Sequence, residues 1–253
     1  EELADCDIIV NAAGHIEAAA ASRDGELFVT TDEARTFAKR ISDAGFKGIW
    51  VSIANPCDVV STEIQYLTGC DPTRVIGSGT TLDSARFRHA LSVATGYPAS
   101  CINAWMLGEH GNGQFALWSH VTFGCLTDKE VEAQTGLKFD RAQLEQDARM
   151  GGYVTYKGKH CTEYSIANGA VEVIGAIVND TKLVTPVSTL LDNVYGASGF
   201  YSSLPAVIGK DGVEKVLVPE LSDDEIAAWK KSCEHVKGNI DQLDWLKVDA
   251  RVE

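Results

Sequence analysis

The chain has 253 residues, of which 45% are hydrophobic and 23% are charged, as is ordinary for a globular protein with a real core. Its 22 lysines and arginines are outnumbered by 36 aspartates and glutamates, so the formal net charge at pH 7 is −14. This balance argues against nucleic acid or an anionic membrane as the general partner. No apolar run approaches the roughly 18 residues of a membrane span, and the first residues do not resemble a signal peptide.

The cysteines indicate a reducing compartment. There are seven of them, scattered without a CxxC pair. A chain of this length does not need disulfides for stability, and the spacing suits no zinc site. We therefore expect reduced thiols and a cytoplasmic location.

The first third of the chain alternates between predicted strands and helices. Buried parallel strands are predicted where short apolar runs occur, at residues 6–13, 48–54 and 74–78. Helices are predicted at residues 31–44 and 58–68, the first capped by Thr30 or Thr31. Residues 15–28 show no clear amphipathic period and predict a loop or a weak helix. The alternation indicates a parallel sheet with crossover helices.

After residue 81 the pattern changes, and we expect a domain boundary there, between residues 1–81 and 82–253. Helices are predicted at residues 83–94, 141–150, 162–182 and from the capping box at 222 toward 245. Strands are predicted at residues 102–107, 115–123, 183–191, 199–208 and 213–218. The last three are separated by glycine-containing turns, which is typical of antiparallel strands.

Two segments together indicate catalysis. Residues 106–115 carry Glu-His-Gly in a glycine-rich turn between two strand-like runs, with the imidazole at His110. Upstream, residues 82–88 place Asp83 and Arg86 three positions apart, on one face of the predicted helix. An imidazole, a carboxylate and a guanidinium are the groups needed to move a proton on a small anionic substrate. A lone histidine in such a turn is usually structural, but the pair of segments favours a catalytic role.

These segments belong to a longer series of motifs. Residues 11–14, 54–58, 75–88 and 108–111 resemble the L-lactate/malate dehydrogenase family in order and in spacing. Residues 108–115 and 205–212 are most similar to the L-2-hydroxyisocaproate dehydrogenase branch, where Asn follows Glu-His-Gly in place of Asp. The likeness covers nearly the whole chain.

The resemblance implies an α/β fold, in which the C-terminal part of a Rossmann-type parallel sheet is followed by an α+β substrate domain with antiparallel strands. It also implies NAD as the cofactor and an L-2-hydroxy acid or 2-oxo acid as the substrate. Because members of the family form dimers and tetramers, the resemblance also implies a homo-oligomer of one of these kinds. No GxGxxG motif occurs in the sequence, so we expect that the family's first glycine-rich βαβ unit, which would hold the pyrophosphate, is missing from it.

The resemblance also assigns the catalytic groups. It makes His110 the proton acceptor, which suits an imidazole whose pKa lies near working pH. Asp83 would fix the tautomer of His110 and stabilise its imidazolium form. Arg86 would bind the substrate carboxylate with its planar fork. Arg23 would polarise the reacting oxygen from a mobile loop, although a solvated loop arginine is the alternative there.

Further positions follow from the same likeness. Asn55 would lie between the nicotinamide ribose and the reacting oxygen, and Ala13 and Gly14 would contact the cofactor. Thr162 matches a pocket threonine, and Ile166 matches the aliphatic residue that packs on the nicotinamide ring; both could equally be ordinary residues of a helix. Glu17 occupies the loop position that faces the substrate side chain. There it would repel a second carboxylate such as that of oxaloacetate, unless it points to solvent.

Two departures from the family pattern limit what the resemblance implies. Ile16 stands where many lactate dehydrogenases have an arginine that meets the cofactor phosphates. Arg88 matches a residue of the bacterial sugar-bisphosphate effector site, but Asn103 replaces its companion histidine, so this route of activation is doubtful. The remaining histidines are interpreted as structural.

Two other functions stay open at this point. A non-catalytic binding or assembly protein could keep the substrate domain, although nothing structural requires His110, Asp83, Arg86 and Arg23 to occur together. A metal-dependent hydrolase using His110 and Glu109 is a weaker alternative, because no paired-ligand spacing such as HxxxH occurs nearby.

Overall fold

The structure is a computed structural model, and it describes residues 2–14 and 25–253. The helices are α1 (Leu27–Asp43), α2 (Cys57–Thr68), α3 (Thr81–Thr95), α4 (Asp128–Thr135), α5 (Arg141–Lys159), α6 (Glu163–Asn179) and α7 (Asp223–Ile240). The longer strands are β1 (Ile8–Asn11), β2 (Ile49–Ser52), β3 (Val75–Gly77), β9 (Leu183–Leu190), β11 (Tyr201–Gly209) and β12 (Gly212–Val216). The two-residue strands are β4 (Ile102–Asn103), β5 (Met106–Leu107), β6 (Phe115–Ala116), β7 (Thr122–Phe123), β8 (Leu126–Thr127), β10 (Ala197–Ser198) and β13 (Arg251–Val252).

One mixed six-stranded sheet organises the fold, in the order β1-β2-β3-β9-β11-β12. The first three strands are parallel, as the alternating pattern predicts, and the last three are antiparallel. Gly77 of β3 pairs with Ser188 of β9, so the sheet continues across residue 81. The predicted α/β class with a parallel part and antiparallel strands is therefore confirmed, whereas the boundary near residue 81 stays a prediction.

The parallel strands direct three loops to the same edge of the sheet. The chain leaves β1, β2 and β3 at their carboxyl ends, through residues 12–14, 53–55 and 78–80. Such an edge is where open α/β sheets form their ligand crevice. On the antiparallel side, Gly108 forms a bridge with Ser203 of β11, so the glycine-rich turn that carries His110 is anchored to the same sheet.

Apolar side chains pack on both faces of this sheet. Trp50 of β2 is 1% exposed and lies in a cluster with α1 and α2, where Phe46 meets its ring edge-on at 5.3 Å. On the other face, Val51 of β2 packs with Val173 of α6. Phe87 of α3 is fully buried against Trp118 in a separate cluster outside this sheet. Because α3 is fixed on this core, the helical face that carries Asp83 and Arg86 has a defined direction.

Helix α1 begins earlier than the sequence predicts. It starts at Leu27, after Glu26, and so takes in the last residues of the predicted loop. The expected cap at Thr30 or Thr31 is wrong, since both threonines are buried inside the helix. The hydroxyl of Thr31 donates to the carbonyl of Leu27 at 2.7 Å, the back-bonding that lets threonine sit within a helix.

Other elements differ in length or number. Helix α5 runs past Gly151 and Gly152 to Lys159 and ends at His160, which has a left-handed φ of 62°. Helix α4, with its capping box of Thr127 and Glu130, is not predicted from the sequence. The predicted strand at residues 115–123 is interrupted by a short 3-10 helix. Within the described residues, no helix combines the length and the apolar character needed to cross a membrane.

Candidate active site

Helix α3 presents a carboxylate and a guanidinium in contact with each other. Nη1 of Arg86 lies 3.0 Å from Oδ1 of Asp83, one turn earlier. The Asp83 side chain is fully buried, while the Arg86 side chain is 16% exposed. Among the described residues, Nε and Nη2 of Arg86 have no hydrogen-bond partner, so the rest of its fork is available to an anion.

The turn between β5 and β6 is held rigidly in front of this helix. Gly108 has a φ of +87°, and a Cβ at this position would lie 2.4 Å from Oγ of Ser232, so glycine is required. The backbone N–H of Glu109 donates to the same Ser232 oxygen at 2.7 Å. The Glu109 carboxylate in turn accepts the N–H of Gly113 at 2.6 Å. These bonds fix the backbone on both sides of His110.

His110 and Asp83 meet, as the sequence predicts. Nδ1 of His110 lies 2.6 Å from Oδ2 of Asp83, and the imidazole side chain is 8% exposed. A carboxylate can only accept, so Nδ1 carries the proton and Nε2 is the free basic nitrogen. Asp83 therefore binds His110 with one oxygen and Arg86 with the other.

A second carboxylate reaches the same turn, and the sequence analysis gives it no role. Asp58, in the first turn of α2, accepts the backbone N–H of His110 through Oδ2 at 2.8 Å. The hydroxyl of Ser188 donates to its other oxygen. Burial raises the pKa of Asp58 to about 7. The feature of the sequence that could have pointed to Asp58 is its position at the end of the Asn-Pro-Cys-Asp motif, residues 55–58.

A cavity of about 340 Å³ opens between these groups and the ends of β1 and β2. The predicted site residues on its wall are Ala13, Gly14, Asn55, Arg86, His110, Thr162 and Ile166. Asp83 does not itself line the cavity but contacts Arg86 and His110, which do. Glu26, Tyr153, Tyr156 and Cys161, which the sequence analysis did not single out, also contribute to the lining. Predicted residues from five separate segments are therefore brought to one cavity.

Part of this wall fits a nicotinamide ring and its ribose. Ala12, Ala54 and Ile166 give it an apolar surface, and Asn55 contributes a polar amide. Oγ1 of Thr30 is buried without a partner among the described residues, close to where a Cβ on Gly14 would lie. A buried, unpaired hydroxyl beside a glycine is typical of a place where a ligand supplies the missing hydrogen bond.

Three predicted positions lie outside the described residues: Arg23, Glu17 and Ile16. Arg88, by contrast, is partly buried and donates from Nη1 to the carbonyl of Ala104 at 3.4 Å. The thiols of all seven cysteines are free.

Comparison with known proteins identifies a family. The family model of the lactate/malate dehydrogenase alpha/beta C-terminal domain matches residues 80–245. The L-lactate dehydrogenase of Lacticaseibacillus casei is 34% identical over 235 residues, which cover 92% of this chain and 72% of that enzyme. The L-lactate dehydrogenase of Fusobacterium nucleatum is 34% identical over 244 residues, covering 95% and 76%.

Solved structures show the same similarity. A lactate dehydrogenase from a Medee basin deep-sea metagenome library superposes with a TM-score of 0.90 at 30% identity, covering 96% of this chain and 79% of that one. The malate dehydrogenase of Cryptosporidium parvum has a TM-score of 0.90 at 28% identity, covering 96% and 78%. Both kinds of enzyme thus share this fold.

Proposed function

Because this chain belongs to the lactate/malate dehydrogenase family, we propose that it interconverts a small L-2-hydroxy acid and its 2-oxo acid with NAD. The chain is a dehydrogenase, as its relatives are. The observation that carries the proposal is the contact of Asp83 with both His110 and Arg86 at one cavity. A binding or assembly protein would not need this arrangement.

In the oxidising direction, the hydroxyl proton of the substrate passes to Nε2 of His110, while Nδ1 stays bonded to Asp83. The positive charge that forms on the imidazole is stabilised by the Asp83 carboxylate. Bound NAD supplies the acceptor for the hydride that leaves the adjacent carbon. In the reducing direction, His110 returns the proton to the oxygen of the 2-oxo acid.

The other residues bind and orient the substrate. Nε and Nη2 of Arg86 form the fork that takes its carboxylate. Asn55 holds the reacting oxygen from the end of β2, and Thr162 borders the substrate pocket. For Arg23, which lies outside the described residues, we propose polarisation of the same oxygen, as the family resemblance implies. Each of these roles can be tested by substitution.

The residues present fit the nicotinamide end of NAD. Ala13, Gly14 and Ile166 line the cavity where the ring would lie, and Asn55, on the same wall, would contact the ribose. No GxGxxG motif, which would hold the pyrophosphate, occurs in the sequence.

For the substrate, we propose pyruvate or a bulkier aliphatic 2-oxo acid, in line with the hydroxyisocaproate-like motifs at residues 108–115 and 205–212. Two like charges about 4 Å apart repel by several kcal/mol at an effective dielectric near 20. Glu17 would therefore disfavour oxaloacetate by roughly a hundredfold or more. Gly152, which is buried on the cavity wall and has no side chain, leaves room for a branched chain.

The test compares kcat/KM for pyruvate, 2-oxoisocaproate and oxaloacetate in the full-length protein and in its His110→Ala variant. We expect oxaloacetate to be the poorest substrate and His110→Ala to lower kcat by about 10²–10⁴-fold. An unchanged kcat in His110→Ala would overturn the catalytic assignment. Oxaloacetate as the best substrate would overturn the Glu17 argument and the branch assignment while leaving His110 in place.

We also propose a homo-oligomer, dimer or tetramer, in the cytoplasm. Its support is an exposed apolar stripe on α6, formed by Tyr164, Val171 and Val178, which are spaced seven residues apart and are 73%, 66% and 68% exposed. The free cysteines and the negative net charge agree with a reducing compartment and with no nucleic-acid or membrane partner.

A further inference from the structure

Asp58 contacts the turn that carries His110 through the backbone, whereas Asp83 contacts the imidazole ring. Its carboxylate is 1% exposed and accepts two hydrogen bonds, one from the backbone N–H of His110 and one from the hydroxyl of Ser188. The two donors come from different parts of the fold, the glycine-rich turn and strand β9. Asp58 thus ties the turn of His110 to helix α2 and to the central sheet.

The position carries charge as well as hydrogen bonds. The hydrogen bonds from Ser188 and His110 favour the ionised carboxylate, against the burial that raises the pKa of Asp58 to about 7. The titratable groups that act on it are Glu109 and His110 in the turn: the first raises the pKa of Asp58 and the second lowers it. Two thiols nearby, Cys57 on its own helix and Cys233 on α7, have pKa values raised first by burial and next by the charge of Asp58. Among the described residues no lysine or arginine forms an ion pair with Asp58.

We propose that Asp58 is a positioning residue for His110, holding the backbone of the turn and stabilising, as a buried anion, the imidazolium form of the ring. The inference rests on the proposed acid–base role of His110. Asp83 acts on the ring directly through Nδ1. Asp58 acts on the same residue through the peptide N–H and through the field of its charge, which is weakly screened in the interior.

The hydrogen bonds of Asp58 and its charge can be tested separately. This is possible because the Ser188 hydroxyl can either donate or accept a hydrogen bond. In Asp58→Asn, the amide oxygen can still accept from His110, and the amide NH₂ can donate to Ser188. This variant removes the charge and keeps both bonds. Asp58→Ala removes the bonds as well. Cys57→Ala disturbs the packing beside Asp58 without changing any charge and serves as the matched control.

The experiment measures the pH profile of kcat/KM for 2-oxo acid reduction, which requires protonated His110, in the full-length protein. A charge close to a titrating group moves its pKa by one unit or more. Asp58→Asn should therefore move the alkaline limb of the profile, where activity is lost as His110 deprotonates, about one pH unit lower. On the alkaline side of the limb, reduction should then be about tenfold slower. Asp58→Ala should lose activity at every pH, and Cys57→Ala should keep the wild-type limb.

A second readout does not depend on turnover. NMR titration of the His110 ring, assigned with His110→Ala, should show the same downward shift in Asp58→Asn. In the wild-type protein, the amide proton of His110 should move downfield as Asp58 ionises, which needs no variant to fold. The inference would be overturned if, in Asp58→Asn, both the alkaline limb of the kcat/KM profile and the titration of the His110 ring stayed at their wild-type pH values.

These outcomes are distinct from failure of the proposed function. If His110→Ala keeps full activity, the acid–base role of His110 is wrong, and the inference falls with it. If His110→Ala is inactive but Asp58→Asn titrates like the wild type, the proposed function stands and only the role of Asp58 is wrong.

Discussion

Oδ2 of Asp83 lies 2.6 Å from Nδ1 of His110, although the two residues are 27 positions apart in the chain. The carboxylate comes from the first turn of α3, and the imidazole comes from the turn between β5 and β6. A buried acceptor at Nδ1 decides which nitrogen of the ring is basic, and it therefore leaves Nε2 of this cavity-lining residue as the basic nitrogen.

Asp83→Asn should therefore impair catalysis without unfolding the protein. The amide has nearly the same shape but can donate to Nδ1, which favours the wrong tautomer and removes the charge that stabilises imidazolium. We expect kcat for 2-oxo acid reduction to fall by about 10²–10⁴-fold. Circular dichroism should give a cooperative melting transition as in the wild type. A variant with wild-type kcat would show that the contact is structural only.

Arg86→Lys should weaken substrate binding more than it weakens folding. A lysine can still pair with Asp83, but one ammonium cannot reproduce the planar fork that binds a carboxylate with two hydrogen bonds. We expect KM for the 2-oxo acid to rise by at least about tenfold, the loss of a charge-assisted hydrogen bond. Arg88→Lys, two residues further on the same helix, is the control and should leave KM near the wild-type value. Equal KM values in both variants would refute the carboxylate role.

Glu63 on α2 makes stability depend on pH. Its side chain is fully buried, and neither carboxyl oxygen has a hydrogen-bond partner among the described residues. Burial raises its pKa from 4.5 to about 9, which Arg35 opposes only in part. Between these values the folded protein keeps a proton that the unfolded chain has released. The free energy of unfolding therefore falls as pH rises, by up to about 1.4 kcal/mol per pH unit.

Glu63→Met, of similar volume and shape, should remove this dependence. We expect it to raise the free energy of unfolding by about 1–3 kcal/mol near pH 8, because no unpaired polar group is then buried. Urea titrations at about pH 7 and about pH 9 would measure it. Glu130→Gln is the control: this exposed carboxyl has a lowered pKa, so its contribution is already complete above pH 7. A steeper fall of stability with pH in Glu63→Met would contradict the prediction.

Val171→Glu should test the exposed stripe of α6. If Tyr164, Val171 and Val178 are covered by a second copy, a buried glutamate there would break the association, since an unpaired charge is costly to desolvate. We expect light scattering after size exclusion to show a smaller species than the wild type. Glu172→Gln, the neighbouring position on the helix, is the control. An unchanged mass in Val171→Glu would exclude this face as the interface.

The sequence by itself predicted most of the elements and proposed His110, Asp83 and Arg86 as the catalytic groups. Apolar runs at residues 48–54 and 74–78 and the glycine-bounded turn around His110 are local features, and local propensity is enough to predict them. The one-turn spacing of Asp83 and Arg86 is also local, so their contact on α3 could be predicted as well.

Only the tertiary structure decided which distant groups meet. Ser188 and Asp58 are 130 positions apart, and their bond depends on β9 joining the parallel strands beside β3, which no periodicity reveals. The same is true of Thr31, where the sequence predicts a cap but α1 begins a turn earlier to bury Leu27 in the core. Burial also decided the pKa of Asp58 and Glu63, because the desolvation of a carboxyl depends on everything packed around it.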